Sequence, residues 1–180
     1  VAALLDQAPV LTSVGRTYPV ELHYQARDPS GPLPPLVSQA VRHALRQHPG
    51  DVLVFLPGAR EIRQTQALLQ SALAGDDIAV HALYGDLPWE AQDRAIRPGG
   101  GQRKVVLATP IAETSLTIEG VCIVVDAGYA RVPQFDPASG LSRLHTQRIS
   151  RASAEQRAGR AGRTAPGVCY RLWSASTQRG

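Results

Sequence analysis

The sequence has 180 residues, 43% hydrophobic and 19% charged, which suits one well-cored domain and is short for two. No run approaches the roughly 18 uncharged apolar residues of a membrane helix, and the N-terminus lacks the basic flank and apolar stretch of a signal peptide, so composition argues against membrane insertion and export and for a soluble, cytoplasmic protein. A net charge of +4 conceals an asymmetry: seven arginines and one acid, Glu155, lie between Arg143 and Arg171, a block suited to nucleic acid or nucleotide phosphate.

The chain opens on Val1, contains no methionine and stops on STQRG, which reads as a segment of something longer. Residues 1–17 look like the tail of a preceding domain or an interdomain linker, and 18–180 like one domain. A strand with alternating character is expected around Tyr18 to Tyr24. DPSGPLPP, residues 28–35, holds four prolines and reads as a loop, because proline suits neither a helix interior nor a central strand. LVSQAVRHALRQHPG then places Leu36, Val37, Ala40, Val41, Ala44 and Leu45 at helical intervals before Pro49-Gly50 stops it.

DVLVFLPG is a buried-type strand, and AREIRQTQALLQSALAG an amphipathic helix. IAVHALYG, LPWEAQDRAI, RKVVLATP and VCIVVDAG continue as strand, helix, strand and strand. Continuous apolar strands separated by helices indicate a doubly wound parallel α/β sheet covered on both faces. GYARVPQFDPASGLSRLHTQRIS breaks that pattern. Its two strand-like arms flank the turn-rich DPASG, which predicts a β-hairpin projecting from the sheet, with Arg131, Arg143 and Arg148 along it.

Ser153-Ala-Glu-Gln156 matches an S-x-x-Q capping box, so a helix is expected to start there and run through QRAGRAGR, residues 156–163. Gln156, Arg160 and Arg163 at i, i+4 and i+7 would share one face, and Arg157 would point elsewhere. Gly159 and Gly162 are costly inside a helix, so each should mark close approach of a backbone or ligand. Arginine rather than lysine points to bidentate gripping of phosphate oxygens. Yet the phosphate loop GxxxxGK[ST] is absent, since the one lysine, Lys104, sits in GGGQRKVV, and no Asp-Glu dipeptide supplies a metal-binding box. An arginine row without a phosphate loop predicts fingers offered to a nucleotide held by another domain.

DVLVFLPGAREI, LATPIAETSLTIEGVCIVVDAG and SRASAEQRAGRAGR resemble motifs IV, V and VI of the DEAH-box helicases of superfamily two, in order and spacing, over nearly all of residues 18–173. The hairpin segment is most similar to that of the bacterial HrpB-type enzymes. The resemblance implies the second RecA-like domain of an ATP-dependent RNA helicase, separated here from its first RecA-like domain and its C-terminal accessory domains. It implies ATP and Mg2+ bound mainly by that first domain in cis, and single-stranded or partly duplex RNA as partner, with DNA possible. The isolated fragment is expected to be an inactive monomer. Residue by residue, Arg160 and Arg163 match the fingers, and Gln156 the residue that helps place the attacking water. Ser115, Thr117 and Glu119 match nucleotide-side positions, while Thr109, Pro57, Gly58 and Arg60 match positions along the nucleic-acid backbone. Arg157 matches a structural position paired with an acid, whose replacement by lysine should be far milder than that of Arg160. Motif V departs from the family in carrying Thr109-Pro110 where Thr-Asn is usual, losing a backbone donor and an amide together.

Other residues have plainer readings. His23, His43, His48, His81 and His145 are scattered and suit surface or core better than metal ligation, and no metal site is expected. Trp89 and Trp173 read as core or rim packing, Gly99 to Gly101 as a flexible turn, and Cys122 and Cys169 as buried small hydrophobes. Against the helicase reading stands a nucleic-acid-binding module with degenerate motifs and no turnover; the complete QRAGRAGR argues for the former.

Overall fold

The computed structural model describes residues 18–114, 118–136 and 140–178. The expected linker at 1–17 lies outside them. Six strands form one parallel sheet in the order β1-β8-β5-β2-β4-β3, comprising β1 (Val20–Gln25), β2 (Asp51–Phe55), β3 (Ile78–Leu83), β4 (Arg103–Ala108), β5 (Val121–Asp126) and β8 (Gly167–Ser174). The central strands are buried nearly end to end, as continuous apolar runs require. Helices α1 (Leu33–Gln47) and α2 (Ala59–Ala72) cover one face through Val37, Val41, Ile62 and Leu69. The other face packs on Ala95 of α3 (Trp89–Ile96), Ala112 of α4 (Ile111–Thr114) and Ala158 of α5 (Arg151–Ala158). The expected doubly wound sheet is therefore present.

Strands β6 (Tyr129–Asp136) and β7 (Leu141–Arg148) form the separate antiparallel hairpin. Phe135 pairs with Ser142 and Pro133 with Leu144, so Phe135, Pro133 and Leu144 share a face. Phe135, Leu141 and Leu144 are all more than 60% exposed, and every residue of β7 is exposed.

Three local expectations change. Helix α1 begins at Leu33, taking Pro34 and Pro35 into its first turn, where a missing N–H costs no helical bond. The cap of α5 is Ser150, whose Oγ accepts from Ser153 N at 3.2 Å, three residues upstream of the predicted box. Trp173 is buried as expected, but Trp89 is 71% exposed at the start of α3, because the short helix turns only its later residue Ala95 inward. Lys104 is buried at the start of β4, and its Nζ donates to the carbonyls of Ala95, Ile96 and Arg97, satisfying the orphan acceptors at the end of α3. Gly99 to Gly101 form a turn closed by Gln102 N on Gly99 O at 3.1 Å.

Candidate nucleotide and nucleic-acid site

The predicted residues fall into two groups. The first gathers at the C-terminal ends of β2 and β4, which pair through Phe55 and Ala108, with Leu56 N donating to Ala108 O at 2.9 Å. Pro57 and Gly58 follow β2 and are buried, Arg60 is exposed on the first turn of α2, and Thr109 follows β4 half-buried. Thr109 donates its N–H to Leu83 O and accepts from Ala112 N, both at 3.2 Å, while Pro110 O accepts from Glu113 N at 2.8 Å. Pro110 thus opens the turn of α4, where its missing N–H leaves no bond broken.

Gly58 is glycine because a Cβ there would lie 2.6 Å from Nη1 of Arg131, so the space a side chain would fill is taken by the hairpin.

The second group is spread along α5, the turn after it and the approach to β5. Ser150 starts α5 beside the hairpin root, and Ile149 N bonds Gly128 O at 3.1 Å. At the far end Gly162 O accepts from Tyr18 N at 2.9 Å, so α5 and the turn after it run from the C-terminal end of β5 to the entry of β1. Glu119 is exposed just before β5, on the strand neighbouring β8. Ser115 and Thr117 lie outside the described residues.

Helix α5 ends at Ala158, before Arg160 and Arg163. Arg160 N bonds Arg157 O and Ala161 N bonds Ala158 O, a three-residue spacing that tightens the chain. The single helical face predicted for Gln156, Arg160 and Arg163 therefore does not form: Gln156 is exposed on α5, Arg160 buried in the turn and Arg163 exposed beyond it. Gly162 is glycine because a Cβ would sit 2.5 Å from the Tyr18 carbonyl oxygen, the close backbone approach anticipated. At Gly159 a Cβ would meet only ordinary contacts, 3.4 Å and beyond.

Arg160 is 4% exposed, and among the described residues neither Nη1 nor Nη2 has a hydrogen-bond partner. Burial, reinforced by the charge of Arg163 beside it, pulls its guanidinium below the ordinary arginine value. A desolvated cation next to a second cation is a placement that an anion would relieve.

Arg157 is the opposite case. Fully buried, it donates from Nε to Glu113 Oε2 at 3.0 Å, and from Nη1 to Asp126 Oδ1 at 2.9 Å and Tyr129 O at 3.3 Å. Its guanidinium lies 4.9 Å from the Phe55 ring centroid. One side chain of motif VI thereby touches the end of β2, the motif V helix and the hairpin's first residue. Glu113 also accepts from Ser153 Oγ at 2.6 Å. Burial pushes the Asp126 carboxyl above its ordinary value, and Arg157 and the Gly128 N–H pull back against it. The roles of Glu113 and Asp126 are not written in local sequence, since they lie 44 and 31 residues from Arg157; their only signal is that a buried arginine needs carboxylates.

The hairpin arginines divide likewise. Arg131 pairs with Glu61 and Arg148 with Asp28, while Arg143 lies exposed opposite Gln134.

Residues 36–165 match the helicase conserved C-terminal domain. The chain belongs to that family. It is 49% identical over 94% of its length to the ATP-dependent RNA helicase HrpB of Escherichia coli. To the pre-mRNA-splicing factor ATP-dependent RNA helicase prp22 of Schizosaccharomyces pombe it is 44% identical over 96%. It spans 21% and 15% of those proteins. Among solved structures, the E. coli DExH-box NTPase HrpB superposes with a TM-score of 0.85 at 48% identity, covering 97% of this chain and 22% of that one. The helicase domain and RecA-like fold expected from the motifs are thus those found.

Proposed function

We propose that this domain is the second motor domain of an ATP-dependent RNA helicase, contributing Arg160 and Arg163 to a nucleotide held chiefly by the first RecA-like domain. The observation that carries this is Arg160 itself, a buried guanidinium whose two terminal nitrogens have no partner among the described residues. Residues of this chain divide the work. Arg160 and Arg163 offer donors to the γ-phosphate oxygens when the two domains close, Gln156 orients the attacking water, and Glu119 with Ser115 and Thr117 serves the nucleotide side. Bound ATP supplies the transferring phosphoryl group, and donors aimed at its oxygens act where charge develops. Among the described residues no group of three or more His, Cys, Asp or Glu could hold a metal ion, and we assign Mg2+ to the first domain. Thr109 and Arg60 sit where they can meet RNA phosphates along the ends of β4 and β2.

The projecting hairpin would guide or wedge apart the strands, its apolar face of Phe135, Pro133 and Leu144 being open to bases. Single-turnover ATPase and unwinding by the full-length protein test both parts. Arg160→Lys should abolish turnover while RNA affinity at fixed salt holds. Removal of Gln134 to Leu144 should lower unwinding more than RNA-stimulated ATPase, and equal loss of both would leave the hairpin a structural element. A nucleic-acid-binding module without turnover would show neither ATPase nor unwinding in the parent.

A further inference from the structure

A two-stranded ribbon is marginal by itself in water, and with β7 exposed along its whole length the hairpin can take its direction only from its root. Besides Arg157, which donates to Tyr129 O, two side chains of the hairpin itself fasten that root, one on each strand. From β6, Arg131 lies over the bare Cα of Gly58, in the space a Cβ would need, and its Nη2 donates to both carboxylate oxygens of Glu61, at 3.2 and 3.3 Å. From β7, Arg148 stacks over Tyr129, its cross-strand partner, with 5.2 Å from guanidinium carbon to ring centroid. Its Nη2 donates to Asp28 Oδ2 at 2.9 Å. The Asp28 carboxylate is in turn held by Ser174 N at 2.8 Å and Thr177 Oγ1 at 2.8 Å, and these bonds with Arg148 keep it below the ordinary carboxylate range.

The two anchors belong to different parts of the domain, the first turn of α2 and the loop between β1 and α1. A ribbon tethered on one strand can swing about that tether; tethered on both, to separate elements, it has no free axis at its root. We infer that Glu61 and Asp28 are positioning residues, which with Arg131 and Arg148 clamp the hairpin at one elevation so that it moves as a rigid part of this domain. The inference rests on the strand-guiding reading of the hairpin. Both pairs are partly solvent-exposed, and such pairs add little to stability, so losing them should be felt in the direction of the arm and not in folding.

The test uses the full-length protein, free of other accessible cysteines and with Cys122→Ser, spin-labelled at Gln64→Cys on α2 and Ser142→Cys on β7. Pulsed electron resonance then reads the distance across the clamp. The parent should give one narrow distribution. The isosteric double variant Glu61→Gln/Asp28→Asn and the single variant Glu61→Arg should broaden it severalfold. They should also lower unwinding at least about fivefold while RNA-stimulated ATPase stays within about twofold, and the charge swap Glu61→Arg/Arg131→Glu should restore both distance and unwinding. An unbroadened distribution would overturn the clamp. Broadening with undiminished unwinding would show that the arm's direction is irrelevant to strand separation. Parallel loss of ATPase, unwinding and melting temperature would reduce the pairs to ordinary structural contacts. If removing Gln134 to Leu144 leaves unwinding intact, the strand-guiding reading fails by itself, because the distance measurement still reports on the clamp.

Discussion

Arg160 and Arg157 sit one tight turn apart, and replacing each by lysine should give opposite signatures. Arg160 spends neither terminal nitrogen on the described residues, so Arg160→Lys removes no hydrogen bond that those atoms make to them. Its unfolding free energy should stay within about 1 kcal/mol of the parent. Its cost falls on catalysis: arginine fingers are worth about 10³ to 10⁵ in rate, on the order of 4 to 7 kcal/mol of barrier, and lysine keeps the charge but loses the fork. Arg157→Lys reverses this. The side chain is fully buried and pairs with both Glu113 and Asp126. An ammonium cannot reproduce that fork, and leaving a buried carboxylate short of its partner costs on the order of 3 kcal/mol. At about 2 to 4 °C per kcal/mol for a domain of this size, its melting temperature should fall by about 6 to 12 °C. For the chemical step Arg157→Lys should still be far milder than Arg160→Lys, while its cost to stability is large. The assay pairs thermal unfolding of this domain with single-turnover ATPase of full-length protein, beside RNA affinity at one salt concentration. Equal destabilisation by both substitutions, less than tenfold loss of turnover in Arg160→Lys, or RNA affinity falling in step with its turnover would refute the reasoning.

Gly162→Ala should destabilise the domain by about 1 to 3 kcal/mol in urea unfolding, because the new Cβ meets the Tyr18 carbonyl. Gly159→Ala, in helical conformation with only ordinary contacts, should stabilise by about 0.4 to 1 kcal/mol; the same sign for both would show that neither glycine is set by its neighbours. Residues 1–180 alone should not hydrolyse ATP, and steady-state phosphate release by a clean preparation would place the active site within this domain. Burial, then the charges of Lys104 and Arg94, hold His81 below the ordinary histidine value. A depressed value contributes stability that is present above the unfolded pKa of about 6.5 and is lost as pH falls through the folded one. The urea midpoint should therefore drop on acidification below about pH 6.5, and His81→Gln should flatten that slope.

The sheet was legible because VLVF, VVLA and CIVVD are apolar on both faces, a pattern that water-exposed strands do not show. The hairpin was legible for the converse reason, polar residues on both arms around a proline- and glycine-containing centre. Boundaries were harder. Proline reads as a breaker wherever it stands, although α1 absorbs two in its first turn, and Ser150 and Ser153 are equally good caps until the chain's path selects one. At the site, residue types were legible and their geometry was not. Heptad-like spacing placed Arg160 and Arg163 with Gln156, but the chain tightens after Ala158, leaving one arginine buried and the next exposed. The carboxylates that hold Arg157, and those that hold the hairpin, come from distant segments and depend on how the sheet brings strand ends together.

Burial of Lys104 leaves the described domain without an exposed lysine, since the 180-residue sequence has no other. Amine-directed dyes and lysine cross-linkers will therefore pass over this surface, and mapping its contacts with such reagents would return a blank that says nothing about proximity. Glyoxal-type reagents, which modify guanidinium groups, meet the reverse situation: Arg60, Arg143 and Arg163 are exposed while Arg157 and Arg160 are covered, so a change in the labelling of Arg163 during turnover would be readable against Arg60 and Arg143 in one digest.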